Sequence, residues 1–340
     1  MKNLYTFIAF CFFVCPALAQ NNDRATIYFN KGKEESTAKL YLQASRHFDT
    51  AIQFNKNYTA AYIANGKANI EMRRVTQALG NFSKAFELDP QNQEVIQQLS
   101  ELYFNNHQFQ KAIELVQKCT SCTNASRILG MCYYYGEDYG KAETFLKKAI
   151  SENSEDAEAA YTLGRTYLEL ENEKSAIPQY EKAISLKPSQ NIWMYELGLI
   201  FYNQNDFKSA LQYFDNAVHN GYNKTNDYYE NYGFAQLYAG DMESGIKTLD
   251  AVLTRKPNNR ELLNNIANAL YETKKYNEAL NYFQKLMDIN PKDAATLYMA
   301  GITLQKMGQK EKGQKICDNA IAMDPSLTKY RQKKEIPGGL

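Results

Sequence analysis

The chain has 340 residues, 44% of them hydrophobic and 23% charged, with a formal net charge of +1. That balance suits a folded domain and argues against a disordered one. It also lacks the basic excess or stripe that marks a nucleic-acid-binding surface.

Residues 1–19 read as an address. Met1-Lys2 gives a positive start, Leu4 to Val14 is an apolar run ended by Pro16, and Ala17-Leu18-Ala19 supplies a small-x-small cleavage site before Gln20. This layout predicts a cleaved secretory signal peptide. The run is too short to span a bilayer comfortably. Cys15 follows Val14 rather than a small residue, so a lipoprotein is not expected. No second apolar stretch of membrane length follows, and no transmembrane span is expected once the signal is removed. The expected location is the periplasm or cell envelope of a bacterium, with secretion as the other destination. Removing 1–19 takes away Lys2 and leaves 38 basic against 38 acidic residues. Asn57, Asn81, Asn124 and Asn223 open Asn-x-Ser/Thr triplets, which acquire meaning only in a glycosylating compartment.

After a short segment, 20–24, a block of about 34 residues recurs along the chain. One copy reads Tyr62, Asn65-Gly66, Ala78, Phe82, Ala85, Pro90; another reads Leu163-Gly164, Tyr167, Ala176, Tyr180, Ala183, Pro188. The spacing returns as Leu263, Ile266-Ala267, Leu270, Ala279, Phe283, Pro291, and as Leu297, Ala300-Gly301, Leu304, Ala320, Pro325. Each block carries two stretches with apolar residues at helical spacing. The small residue in the first stretch lets the second helix come close, and proline ends the block because it cannot continue a helix.

These residues resemble the tetratricopeptide repeat (TPR) family. The resemblance implies an all-α fold, a right-handed α-solenoid of about nine helix-turn-helix repeats. The predicted repeats are 25–58, 59–92, 93–122, 123–156, 157–190, 191–225, 226–259, 260–293 and 294–327, followed by a C-terminal cap and basic tail at 328–340. Lys31 and Glu35 stand where the family prefers apolar residues, which fits a capping repeat with one wet face. The third block is short and lacks its closing proline. Gly245 and Gly313 interrupt second helices at about 1 kcal/mol each relative to alanine, which marks those repeats as soft.

Residues 25–327 are taken up by repeats, and no stretch remains for a catalytic domain. No nucleophile elbow, phosphate-cradling loop or His-Glu-x-x-His helix occurs. The protein is expected not to be an enzyme and to need no cofactor. His47, His107 and His219 fall in separate repeats and do not converge as metal ligands. Trp193 reads as a packing residue and Cys317 as a small buried hydrophobe. Cys119 and Cys122 have CxxC spacing, with Cys132 nearby. A local disulfide, within the pair or to Cys132, stands beside reduced thiols, with metal or redox chemistry as the remaining reading.

The resemblance further implies that the first helix of each repeat lines a concave groove. The groove positions of the central repeats give Arg127, Met131, Tyr134, Tyr161, Arg165, Tyr195 and Tyr202 as candidate partner-binding residues. Tyrosine and arginine are the types enriched at binding hot spots. The chain holds 26 tyrosines, so the alternative for some of these rings is packing between helices. The chaperone-binding carboxylate clamp of the family is not met: Asn268 has Asn264 in place of lysine and faces Met299. The expected function is a scaffold for protein or peptide partners, a candidate component of an envelope complex. A sensor or accessory module taking a small molecule or glycan in the same groove is the other reading.

Overall fold

The computed structural model describes residues 4–331, with side chains placed for 20–330. Among the described residues the only regular structure is helical. The chain divides into two compact units, Met1–Gln179 and Tyr180–Leu340. Unit 1 runs α1 (Leu4–Thr37), α2 (Tyr41–Phe54), α3 (Thr59–Glu71), α4 (Val75–Leu88), α5 (Gln93–Asn105), α6 (Phe109–Val116), α7 (Ala125–Tyr135), α8 (Tyr139–Glu152) and α9 (Ala157–Glu169). The division falls inside α10 (Glu173–Leu186), one residue beyond the interior Pro178. Unit 2 continues with α11 (Asn191–Asn203), α12 (Phe207–His219), α13 (Asn226–Ala239), α14 (Met242–Arg255), α15 (Arg260–Glu272), α16 (Tyr276–Ile289), α17 (Ala294–Lys306) and α18 (Lys310–Met323). A 3-10 turn, Pro325–Leu327, and the short α19 (Thr328–Arg331) follow. Odd- and even-numbered helices pair as hairpins, and each hairpin packs on the next within its unit, in the manner of an α-solenoid.

The predicted signal segment lies partly outside the described residues, at 1–3. From residue 4 onward its backbone is helical and runs without a break through the expected cleavage site into α1. Among the described residues no helix is long and apolar enough to cross a membrane. The predicted basic tail falls outside the described residues from 332 onward.

One contact recurs at the first-helix glycines Gly32, Gly66, Gly130, Gly198, Gly233 and Gly301. A Cβ built on Gly32, Gly66 or Gly198 would lie 2.6 Å from the ring of Phe48, Phe82 or Phe214, sixteen residues later. At Gly130 and Gly233 it would lie 2.7 Å from Leu146 and Leu249, and at Gly301, 2.6 Å from Cys317 Sγ. Those distances are shorter than carbon atoms tolerate, so the partner side chain occupies the place of the missing one. Phe82, Phe214, Leu146 and Leu249 are completely buried there. Burial of each such side chain contributes about 1.5–3 kcal/mol. The second helix answers with a fully buried alanine at Ala44, Ala78, Ala112, Ala142, Ala176, Ala210 and Ala279.

The turn inside each hairpin is equally uniform. Among the described residues Lys39, Arg73, His107, Glu137, Glu171, Asn205 and Lys274 have φ between 55° and 63°, and Gly240 and Gly308 take the same place. The bonding is that of a Schellman motif: Arg73 N–H donates to Ile70 O at 2.8 Å and Arg74 N–H to Asn69 O at 2.8 Å. A left-handed backbone costs a non-glycine residue about 1–2 kcal/mol, which the hairpin contact must offset. Side-chain caps then start many of the helices. Asn92, Asp138, Asp156, Asp206, Asp241, Asn259 and Asp293 each accept a backbone N–H three residues on.

Helix propensity alone marks Gly245 and Gly313 as soft points. Packing reverses that reading. Gly245 faces Gly233, and a Cβ on it would sit 2.9 Å from the Gly233 carbonyl oxygen and 2.8 Å from Leu237 Cγ. Gly313 faces the Gly301 carbonyl in the same way. The two hairpins have exchanged alanine for a closer backbone approach. Lys31 is exposed, as expected of a wet first repeat, while Glu35 accepts His47 Nδ1 at 2.7 Å. Gly245→Ala, which propensity says should gain about 1 kcal/mol, is expected to lose about 1–3 kcal/mol through overpacking. Denaturant unfolding of the variant and wild type measures the sign.

Candidate functional site

In unit 1 the first helices of neighbouring hairpins touch directly, α5 on α7 and α7 on α9. Arg127, Met131 and Tyr134 lie at i, i+4 and i+7 on α7, one stripe of a helix. Tyr161 and Arg165 lie at i and i+4 on α9. The structure therefore brings five of the predicted residues onto two adjacent helices.

Their roles differ. The Arg127 Nε lies 2.9 Å from Asp156 Oδ2. The other oxygen of Asp156 accepts the N–H of Ala159 at 3.0 Å and caps α9. Asp156 is mostly covered, with 11% of its side chain exposed, so this pair fastens α7 to the start of α9. The Arg165 guanidinium stands 5.4 Å from the ring centre of Tyr134 and 5.8 Å from that of Tyr161, flanked by both. Burial holds the Tyr134 hydroxyl above the usual tyrosine range, with Arg165 pulling the other way.

Tyr195 and Tyr202 lie on α11 in unit 2. The Tyr195 ring stacks on Tyr222 at 4.4 Å, and its hydroxyl accepts Asn231 Nδ2 at 2.8 Å. Burial raises its pKa. Tyr202 is half-buried and meets Phe207 edge-on at 5.4 Å. Its hydroxyl is pushed up by burial first and by Glu272 second.

Three candidates are corrected as accessible anchors. Met131, Tyr134 and Tyr195 are 5%, 8% and 9% exposed. The two tyrosines are covered by neighbours: Arg165 and Tyr139 lie over Tyr134, and Tyr222 and Tyr228 lie against Tyr195. They shape the surface from beneath. Arg127, Tyr161, Arg165 and Tyr202 remain partly exposed.

The structure adds an aromatic edge that groove positions alone do not list. A ring in the last turn of a first helix meets a ring at the start of the second helix, five residues on. Phe104–Phe109 are 6.0 Å apart, Tyr134–Tyr139 5.9 Å and Tyr271–Tyr276 5.6 Å. The ring at the start of a second helix then stacks on the next hairpin. Phe109 lies on Tyr135 at 5.2 Å, and Phe207 on Tyr238 at 5.0 Å. Tyr135 is 53% exposed although its ring is stacked on Phe109. The signal available in sequence was an aromatic pair five apart, a spacing that belongs to no helix.

Cys119 and Cys122 are joined as a disulfide. Cys132 takes no part in it: it is free and fully buried on α7, and burial pushes its thiol up to about 12. Cys317 fills the core place beside Gly301, and Trp193 is buried. Among the described residues no group of three His, Cys, Asp or Glu side chains is placed to hold a metal ion.

Sequence profiles described as tetratricopeptide repeat match residues 129–191, 161–223, 260–293 and 294–327. A profile described as anaphase-promoting complex, cyclosome, subunit 3 matches 71–149. The DnaJ protein P58IPK homolog B of Oryza sativa subsp. japonica is 23% identical over 189 residues, covering 51% of this chain and 40% of that protein. Tetratricopeptide repeat protein 21B of Xenopus laevis is 22% identical over 338 residues, covering 89% of this chain and 25% of that protein. The chain thus spans well under half the length of either relative. The crystal structure of the C-terminal part of a TPR repeat-containing protein from Cytophaga hutchinsonii matches with a TM-score of 0.50 at 20% identity, covering 70% of this chain and 98% of that one. That likeness is one of fold.

Asp156→Ala removes a cap and strands Arg127, whereas Arg127→Ala removes only the ion pair. The first is expected to cost about 1–2 kcal/mol and the second less than about 1 kcal/mol. Unfolding of the two variants, compared with wild type, checks the order.

Proposed function

Because this chain belongs to the tetratricopeptide repeat family, we propose that it is a non-enzymatic scaffold that holds protein or peptide partners on the first-helix face of its hairpins. The carrying observation is Tyr135. Its ring is stacked on Phe109 and still more than half exposed. A ring held rigid and left wet binds with little further loss of conformational entropy. Phe104 lies on one side of it, and Tyr161 and Arg165 lie on the neighbouring first helix. Together they make an amphipathic strip on α5, α7 and α9, with apolar faces for side chains and hydroxyls for a partner's backbone.

The signal-like residues 1–19 support export to a bacterial cell envelope as the setting. A glycan is the second reading, favoured by the flat exposed face of Tyr135.

Photo-crosslinking tests both setting and surface. A benzophenone side chain placed at Tyr135 or Tyr161 in cells should give discrete protein adducts. One placed at the exposed Lys148 on α8 should not. The crosslinked chain, recovered from the envelope fraction, should begin at Gln20. Equal adducts from all three positions, or none from Tyr135 and Tyr161, would remove the surface from consideration. Glycan retention by the wild type without protein adducts would select the second reading.

A further inference from the structure

The second helices α2, α4 and α8 of unit 1 are each 14 residues long, whereas α6 has 8. Segment 117–124 replaces the missing turns and forms the joint between α6 and α7. Two fastenings hold it. One is the Cys119–Cys122 disulfide, whose half-buried sulfurs lie against the core around Phe82, Val95 and Leu115. The other is Gln93, the first residue of α5. Its Oε1 accepts the Thr120 N–H at 2.7 Å, the Ser121 N–H at 3.3 Å and the Thr120 hydroxyl at 3.1 Å. One carbonyl oxygen thus gathers donors from two consecutive residues, both of them enclosed by the disulfide. At the end of the segment Asn124 Nδ2 donates to Glu101 Oε1 at 2.6 Å.

This arrangement differs from an inert core disulfide in one respect. Thr120, Ser121 and Thr123 around it are exposed, so a thiol reagent can reach the bond. The remaining described cysteines cannot exchange with it. Cys132 and Cys317 are buried in helices, and Cys132 carries almost no thiolate at neutral pH. The pair can therefore open without being diverted into another disulfide.

The Phe109–Tyr135 stack closes the opposite end of the same two helices, one ring from the first residue of α6 and the other from the last of α7. From the disulfide, its Gln93 clasp and its exposed flanks we infer that Cys119–Cys122 is a redox-controlled fastening of the α6–α7 joint. Oxidised, it keeps segment 117–124 folded on Gln93 and fixes how α6 meets α7. Reduced, it releases the segment and lets the two helices shift, with the stack at their far end as the element that would feel it. A dithiol reductant supplies the electrons. Its thiolate attacks one Sγ, the Cys119–Cys122 bond breaks, and a mixed disulfide forms. The second thiol of the reductant then displaces the protein sulfur and closes the reductant's own disulfide. Two electrons and two protons end on Cys119 and Cys122 as two thiols. The consequence for partner binding rests on the docking surface proposed above; the fastening itself does not.

Hydrogen exchange of the full chain, oxidised and after dithiothreitol, tests it. Reduction should speed exchange at Thr120 and Ser121 by roughly tenfold or more. The Cys119→Ser/Cys122→Ser variant should exchange at the faster rate under both conditions, and Cys132→Ala should keep the response. The adduct yield from a crosslinker at Tyr161 should fall several-fold on reduction. Unchanged exchange at 117–124 would overturn the inference, as would free, alkylatable Cys119 and Cys122 in protein isolated without reductant. If no adducts form in either state, the docking surface fails alone and exchange still decides the joint.

Discussion

The structure depends on a place where a side chain is missing. In hairpin after hairpin the first helix presents a glycine, and a phenylalanine or leucine sixteen residues later fills the space above it. The contact is sharp because it is steric at short range. A methyl group on the glycine would enter the partner's ring or branch, and dense interiors have no slack to absorb that. Where leucine replaces phenylalanine, at Leu146 and Leu249, the helices keep the contact with a smaller side chain. Where the second helix also gives up its side chain, at Gly245 and Gly313, backbone meets backbone.

Close pairing accounts for the turns. A connection between helices pressed so tightly has little freedom, and it adopts the left-handed residue that ends a helix in a Schellman motif. Lysine, arginine, histidine and glutamate accept that conformation because the hairpin contact outweighs its local cost. The tight turn also brings the last ring of one helix to the first ring of the next. The aromatic edge is thus a by-product of hairpin geometry, and Tyr135 is the point where it emerges into water. The α6–α7 joint is the exception that the same logic explains. A second helix cut to 8 residues lacks surface with which to hold its neighbour, and a covalent bond and Gln93 take over.

Much of this was legible in the sequence, because the repeat writes its core contact as residue size. Gly66, Gly130 and Gly198 announce themselves against Phe82, Leu146 and Phe214, each sixteen residues on. Gly32 is hidden in sequence for a physical reason: charged Lys31 and Glu35 around it mask the apolar pattern. The left-handed turns were not visible at Lys39, Arg73 or Glu137, since nothing in those side chains favours positive φ and the constraint is tertiary. Helical phase puts Met131 and Tyr134 on one stripe of α7 but carries no information about what covers that stripe, and the same holds for Tyr195 on α11. The covering comes from the next hairpin and the connecting loop, as with Tyr222 over Tyr195. In sequence the pairing is open among three cysteines; the fold closes it because Cys132 lies in the core of α7 and its neighbours.

A double-mutant cycle at Gly66 and Phe82 tests the central claim most directly, because the three atoms nearest a Cβ on Gly66 all belong to that one ring. Unfolding free energies of Gly66→Ala, Phe82→Leu and the double variant give the coupling. The account predicts that Gly66→Ala destabilises the protein and that Phe82→Leu recovers part of the loss, with a coupling of about 0.5–3 kcal/mol. Strict additivity, or a Gly66→Ala variant as stable as wild type, would contradict it.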